Sequence, residues 1–231
     1  MVKLKILQTP KRKLENMKSY SIDWYVDKFN KGETFSVARY GDGELLCMEG
    51  RQGGNSQGCQ YTPELREDLL KALEPKAGLI HLVSSTMLIE DQKTFEKYKN
   101  DEWGDTEVFP EAVKSGELKK YFDAIRKHKI VIISSKEKRA VPLPYDHFIE
   151  TPYCNTYFEK DRIIKEVLDY GKPAVYLFSC GISAGVIVNE LHGKIEGAWF
   201  IDFGHIVDAF IGVMSRGYLE ELTHEEIFRN I

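Results

Sequence analysis

Apolar positions along the 231-residue chain follow helical spacing in some stretches and form unbroken runs in others. Ile22, Tyr25, Val26 and Phe29 recur at the spacing of an amphipathic helix, with Ser21 placed to cap its start and Gly32 to stop it. The short run at residues 34–38 then predicts a strand. Thr62-Pro63 opens a second helix, where proline at the first position loses no needed N–H; Leu65, Leu69, Leu70 and Leu73 form its stripe and Pro75 ends it. Residues 78–83 (GLIHLV) predict a strand, and 90–100 and 115–127 predict helices, the latter with Leu118, Phe122 and Ile125 facing inward. Residues 129–134 (KIVIIS) have no polar alternation, as expected of a strand covered on both faces. Val141-Pro142-Leu143-Pro144 predicts irregular backbone, and residues 147–151 a short strand.

The second half is more regular. A helix over 159–170 uses Ile163, Ile164, Val167 and Leu168 and stops at Gly171. The strand at 174–179 (AVYLFS) leads through Gly181 into a helix ending near Leu191. The strand at 198–202 (AWFID) leads through Gly204 into a helix toward Met214. Two successive strand–glycine–helix units predict an α/β chain: a single Rossmann-like domain with a mostly parallel sheet flanked by helices. No repeat and no long Pro/Gly/Ser linker divides the chain, so residues 1–231 are expected to form one domain.

Composition narrows the function classes. With 42% hydrophobic and 29% charged residues the chain reads as globular, and a net charge of −4 gives no overall field for nucleic acid. Charge is uneven, since residues 1–20 carry Lys3, Lys5, Lys11, Arg12, Lys13 and Lys18 against only Glu15. That basic extension is a solvated end or a peripheral contact for an anionic surface. No run approaches a membrane span or a signal peptide, and Cys47, Cys59, Cys154 and Cys180 form no Cys-x-x-Cys pair, which together point to a reducing cytoplasm.

Ligands of parallel sheets gather beyond the carboxyl ends of the strands, so the candidate chemistry is sought there. The first such end is Arg39-Tyr40-Gly41-Asp42-Gly43-Glu44. In extended or turning backbone, Asp42 and Glu44 return to one side and present two hard oxygen ligands suited to Mn²⁺ or Mg²⁺, with Arg39 beside them for a phosphate. The competing reading is a helix start, with acidic residues favoured in the first turn. The second end, Ser179-Cys180-Gly181-Ile182-Ser183, offers backbone N–H groups and the small residues Gly181 and Ser183 to a phosphate, or simply tight strand–helix packing. The third, Asp202-Phe203-Gly204-His205-Ile206-Val207-Asp208, places His205 and Asp208 on one helix face behind a strand-closing Asp202. His205 reads as a metal ligand, a base or a hydrogen-bond donor to a phosphate, and equally as a hydrogen-bonded neighbour of a helix cap. Softer candidates are Ser84 and Ser135 at two further strand ends and Asn155 in the Pro152–Tyr157 loop, each equally readable as a turn or cap residue.

These motifs resemble those of the GT-D type glycosyltransferases, a Rossmann-like group first recorded as a domain of unknown function. The likeness rests on Arg39-Tyr40-Gly41-Asp42-Gly43-Glu44, supported by Pro152, Asn155 and Tyr157 and by the segment from Asp202 to Asp208. It covers residues 33–215. The resemblance implies transfer of a hexose, glucose favoured, from a UDP-sugar to a glycan or glycoprotein acceptor, with Asp42 and Glu44 organising the metal and the diphosphate. His205, Asp202 or Asp208 is expected to deprotonate the acceptor or to hold the metal. The alternatives are a metal-dependent phosphoryl hydrolase and a nucleotide-sugar-binding module without turnover.

Overall fold

The computed structural model describes residues 17–55, 58–84, 103–213, 219 and 222–231. Ser21 accepts the Trp24 N–H at 3.2 Å and opens α1 (Ile22–Lys31), whose Ile22, Tyr25 and Phe29 are buried. Strand β1 (Ser36–Tyr40) begins later than predicted and takes in Arg39, and α2 (Asp42–Met48) follows after the single residue Gly41. Thr62 caps α3 (Pro63–Ala72) through the Leu65 N–H at 3.1 Å, as its Thr-Pro start predicts. β2 (Leu79–Val83) and β3 (Trp103–Asp105) follow, then α4 (Val108–Ser115) and α5 (Leu118–Ile125).

β4 (Ile130–Ser135) ends in a 3₁₀ turn (Lys136–Ala140) before β5 (His147–Thr151). A second 3₁₀ turn (Thr156–Glu159) leads into α6 (Lys160–Tyr170). β6 (Val175–Ser179) passes through a third (Gly181–Ser183) into α7 (Ala184–Leu191). β7 (Trp199–Asp202), α8 (Ile206–Phe210) and α9 (His224–Phe228) complete the described elements.

The strands form one seven-stranded sheet in the order β3-β2-β1-β7-β6-β4-β5, and every pair is parallel. Side chains alternate between its faces. Tyr40, Ile133, Phe178 and Phe200 pack with α2, α3, α6 and α7 on one side. Val37, Ile132, Leu177 and Ile201 pack with α1, α4, α5, α8 and α9 on the other. Covering both faces explains why the central strands read as unbroken apolar runs.

The Ala72 carbonyl at the end of α3 pins the first layer, accepting from Tyr40 Oη (3.2 Å), Asn189 Nδ2 (3.0 Å) and His81 Nε2 (3.0 Å). A carbonyl only accepts, so His81 carries its proton on Nε2.

Several expectations are corrected. The helix expected over 115–127 is shorter and is preceded by a separate helix, α4. β3 and α9 carry too little periodicity to be foreseen: β3 is three residues and α9 five. The helix expected to run toward Met214 ends at Phe210. The helix expected over 90–100 lies outside the described residues. No described helix is long and apolar enough to cross a membrane.

Candidate active site

All seven strands point their carboxyl ends the same way, so the polar strand-end residues collect along one edge of the sheet. β1 and β7 are neighbours, and Asp202 at the end of β7 joins them. Its Oδ2 accepts the Arg39 backbone N–H at 3.2 Å, and its Oδ1 accepts the Gly204 N–H at 3.1 Å. Asp202 is 5% exposed. Burial pushes its carboxyl up to about 7, opposed by the nearby Arg39 charge and by those two N–H donors.

Arg39 is held from its other end as well, donating from Nη1 to the Phe203 carbonyl at 3.2 Å. Its guanidinium lies so close to Gly204 that a Cβ there would collide with Nη1, and Gly204 has φ +58, a left-handed backbone. Glycine is therefore required twice over, for conformation and for space. Arg39 Nε is buried and has no acceptor among the described residues. A buried donor of this kind calls for an acceptor from water or ligand.

A second cation lies three strands further along the same edge, beyond β7 and β6. Lys138, in the turn after β4, forms an ion pair with Asp208 of α8 at 2.6 Å and donates to Ser179 Oγ at 2.7 Å. Ser179 closes β6; its hydroxyl donates to the Gly204 carbonyl at 2.5 Å, and its own carbonyl accepts from Ser134 Oγ at 2.8 Å. Lys138, Ser179, Gly204 and Arg39 thus form a continuous row across the ends of β4, β6, β7 and β1.

The Asp42 and Glu44 geometry differs from the extended-backbone expectation. Both lie in the first turn of α2, where positions two apart point to different sides of the helix. Glu44 Oε2 turns back to accept the Gly41 N–H at 2.8 Å, as the third residue of a capping box does. Burial raises its pKa, with backbone N–H donors and Arg39 opposing and the Asp42 charge adding. Asp42 is exposed and accepts the Gly43 N–H at 3.0 Å. The reason for the difference is local: Gly41 as N-cap lets the helix start at once. Gly43 then lets α2 approach Ile182, whose Cγ2 would lie 3.0 Å from a Cβ at that position.

Among the described residues no group of three His, Cys, Asp or Glu side chains is placed to hold a metal ion. The donor set suits a different arrangement. Asp42, exposed at the start of α2, offers one hard-oxygen donor, the chemistry by which a small divalent ion can be shared with substrate phosphates and water.

The remaining candidates scatter. His205 is half-buried at the start of α8, and its carbonyl accepts the Asp208 N–H at 2.9 Å. It is the cap residue of that helix, outside the regular turns assigned to it by its spacing from Asp208. Gly181 is exposed at the end of β6 while Ser183 behind it is buried. Ser84 is half-buried after β2, and Ser135 is buried at the end of β4. Asn155 takes up φ +59 and its Oδ1 accepts the Gln60 N–H at 2.7 Å, so its carboxamide oxygen clips two loops together.

Two groups escaped the sequence reading. Lys138 sits in Lys136-Glu137-Lys138-Arg139, a run that reads as solvated surface, and only its place on the 3₁₀ turn carries it inward. Glu107 after β3 is the other: burial raises its pKa, the neighbouring Asp105 adds, and Arg39 opposes.

No family model matches the chain, and no curated protein matches it in sequence. Solved structures do match in fold. A structure described as "A New Glycosyltransferase (DUF1792) from Streptococcus sanguinis" superposes with a TM-score of 0.66 at 18% identity, over 83% of this chain and 82% of that one. Another, described as "The highly conserved domain of unknown function 1792 has a distinct glycosyltransferase fold", gives 0.65 at 19% identity, over 84% and 80%. The chain therefore has the α/β fold of these structures, a glycosyltransferase fold.

Proposed function

We propose that this protein is a glycosyltransferase that moves a hexose, glucose favoured, from a UDP-sugar to a glycan or glycoprotein acceptor. The observation that carries the reading is Arg39, fixed by Phe203 and pressed against Gly204 with its buried Nε lacking an acceptor among the described residues. A guanidinium held this rigidly suits bidentate contact with a phosphate and stabilises charge that develops on a departing diphosphate. Mn²⁺ or Mg²⁺ shared with that diphosphate would be held through Asp42, with Glu44 as the adjoining carboxylate, and would supply further neutralisation of the leaving group.

The acceptor hydroxyl needs a group to take its proton. Both Asp202 oxygens accept backbone N–H groups, and Asp208 is engaged by Lys138. His205, half-buried at the start of α8, is the base in this reading.

The test is a panel of UDP- and GDP-sugars, scored by thermal shift with and without Mn²⁺ and by release of the nucleotide diphosphate. Stabilisation by UDP and turnover of one UDP-hexose are expected, with His205→Ala retaining binding and losing kcat at least a hundredfold. A protein that neither shifts with nor turns over any nucleotide-sugar is not this enzyme.

A further inference from the structure

The Lys138–Asp208 pair is largely withdrawn from water, with side-chain exposures of 14% and 8%. Withdrawing two charges from water costs several kcal/mol per ion, and their attraction often does no better than break even, so stability explains such a pair poorly. Its location is more informative. β4 and β6 are neighbours whose chains leave in opposite directions, β4 outward to β5 and β6 inward to β7. In open α/β sheets the crevice at such a divide is where ligands bind.

Lys138 crosses this divide. From the turn after β4 it reaches Ser179 at the end of β6 and Asp208 beyond β7. The Ser179 proton is given to the Gly204 carbonyl, so the hydroxyl turns a lone pair toward the ammonium and fixes its direction. An ammonium has three donors; the bond to Ser179 takes one, and the Asp208 carboxylate at 2.6 Å supplies the counter-charge. On the other side of Gly204 lies the Arg39 guanidinium. Gly204 thus joins the two cations: its carbonyl accepts from the Ser179 hydroxyl that holds Lys138, and the place its missing side chain would take is filled by the Arg39 guanidinium.

We propose that Lys138 is a phosphate-binding residue of the donor site. Asp208 and Ser179 hold the ammonium in place, and an N–H not given to Ser179 meets one phosphate of a nucleoside diphosphate while Arg39 meets the other. Only the identity of the anion rests on the nucleotide-sugar reading above; the two-cation site itself rests on the row from Lys138 to Arg39.

Calorimetric titration with inorganic pyrophosphate, UDP and uridine tests it. The wild type is expected to bind pyrophosphate and UDP. Lys138→Met should weaken both at least tenfold and leave uridine unchanged, while Lys138→Arg should keep most of the pyrophosphate affinity. Because Lys138→Met leaves Asp208 buried without its cation, the double variant Lys138→Met/Asp208→Asn is measured beside it and should show the same loss. Either methionine variant binding both anions as tightly as the wild type overturns the proposal, as does a wild type that binds neither. A wild type that binds pyrophosphate through Lys138 but ignores UDP refutes the donor reading alone.

Discussion

The carboxylate of Asp202 accepts the backbone N–H of Arg39 across a sequence separation of 163 residues, joining the carboxyl ends of β7 and β1. The same carboxylate holds the Gly204 N–H, so one buried side chain sets both the strand end and the turn on which Arg39 rests. Asp202→Asn keeps the shape but offers one oxygen in place of two, leaving one buried N–H without an acceptor. A loss of about 1–3 kcal/mol is expected in urea unfolding near neutral pH, offset in part by removal of a buried acid. A variant more stable than the wild type at pH 5, where the wild-type carboxyl is protonated, would contradict the stapling role.

Asp202 and His81 also set opposed pH dependences. Burial pushes Asp202 up from 3.8 to about 7, so its contribution is fully present below pH 3.8 and is lost as pH rises through 7. Burial lowers His81 from 6.5 to about 4, opposed by its bond to Ala72, so its contribution is present above pH 6.5 and is lost as pH falls through 4. Each slope reaches about 1.4 kcal/mol per pH unit, and they largely cancel in the wild type. Asp202→Asn should therefore steepen the loss of stability on acidification from pH 6.5 to 4, and His81→Phe should abolish or reverse it. Urea midpoints across that window give the answer, and two variants with parallel profiles would show that neither group is coupled to folding as described.

Gly204→Ala forces a left-handed backbone and drives a Cβ into Arg39. Gly32 is an internal control, since it too has a left-handed φ (+68) but nothing within 4 Å of its Cβ position. Both alanine variants should lose about 1–2 kcal/mol of stability from backbone strain. Only Gly204→Ala should also lose donor turnover, by at least tenfold. Equal activity in the two would separate Arg39 placement from the reaction.

Asp42 and Glu44 should behave unlike one another. Glu44 closes the N-terminus of α2 through the Gly41 N–H, so Glu44→Ala is expected to lower stability by about 1 kcal/mol. Asp42 is exposed, and Asp42→Asn should leave the melting temperature within a degree or so while raising the Mn²⁺ concentration needed for half-maximal turnover several-fold. Indistinguishable metal titrations for Asp42→Asn and wild type would remove Asp42 from metal binding.

Much of this protein is written in short-range pattern. Ser21 and Thr62 each cap the helix that their position predicts, because a side-chain oxygen reaches an N–H three residues on without help from the rest of the fold. The unbroken run at β4 and the strand–glycine–helix units around β6 and β7 announce a parallel sheet covered on both faces, and with it the edge where Arg39, Ser179 and Asp202 end their strands. What the local pattern leaves open is whether a polar residue faces water or a partner far along the chain. Lys138 looks like one of several surface cations until the order β7-β6-β4 brings Ser179 and Asp208 to it. Glu44 reads as facing the same side as Asp42 until α2 starts at Asp42 and the Glu44 carboxylate folds onto Gly41. Helix and strand periodicity is set by neighbours a few residues apart, whereas strand order and side-chain desolvation exist only once the whole sheet has assembled.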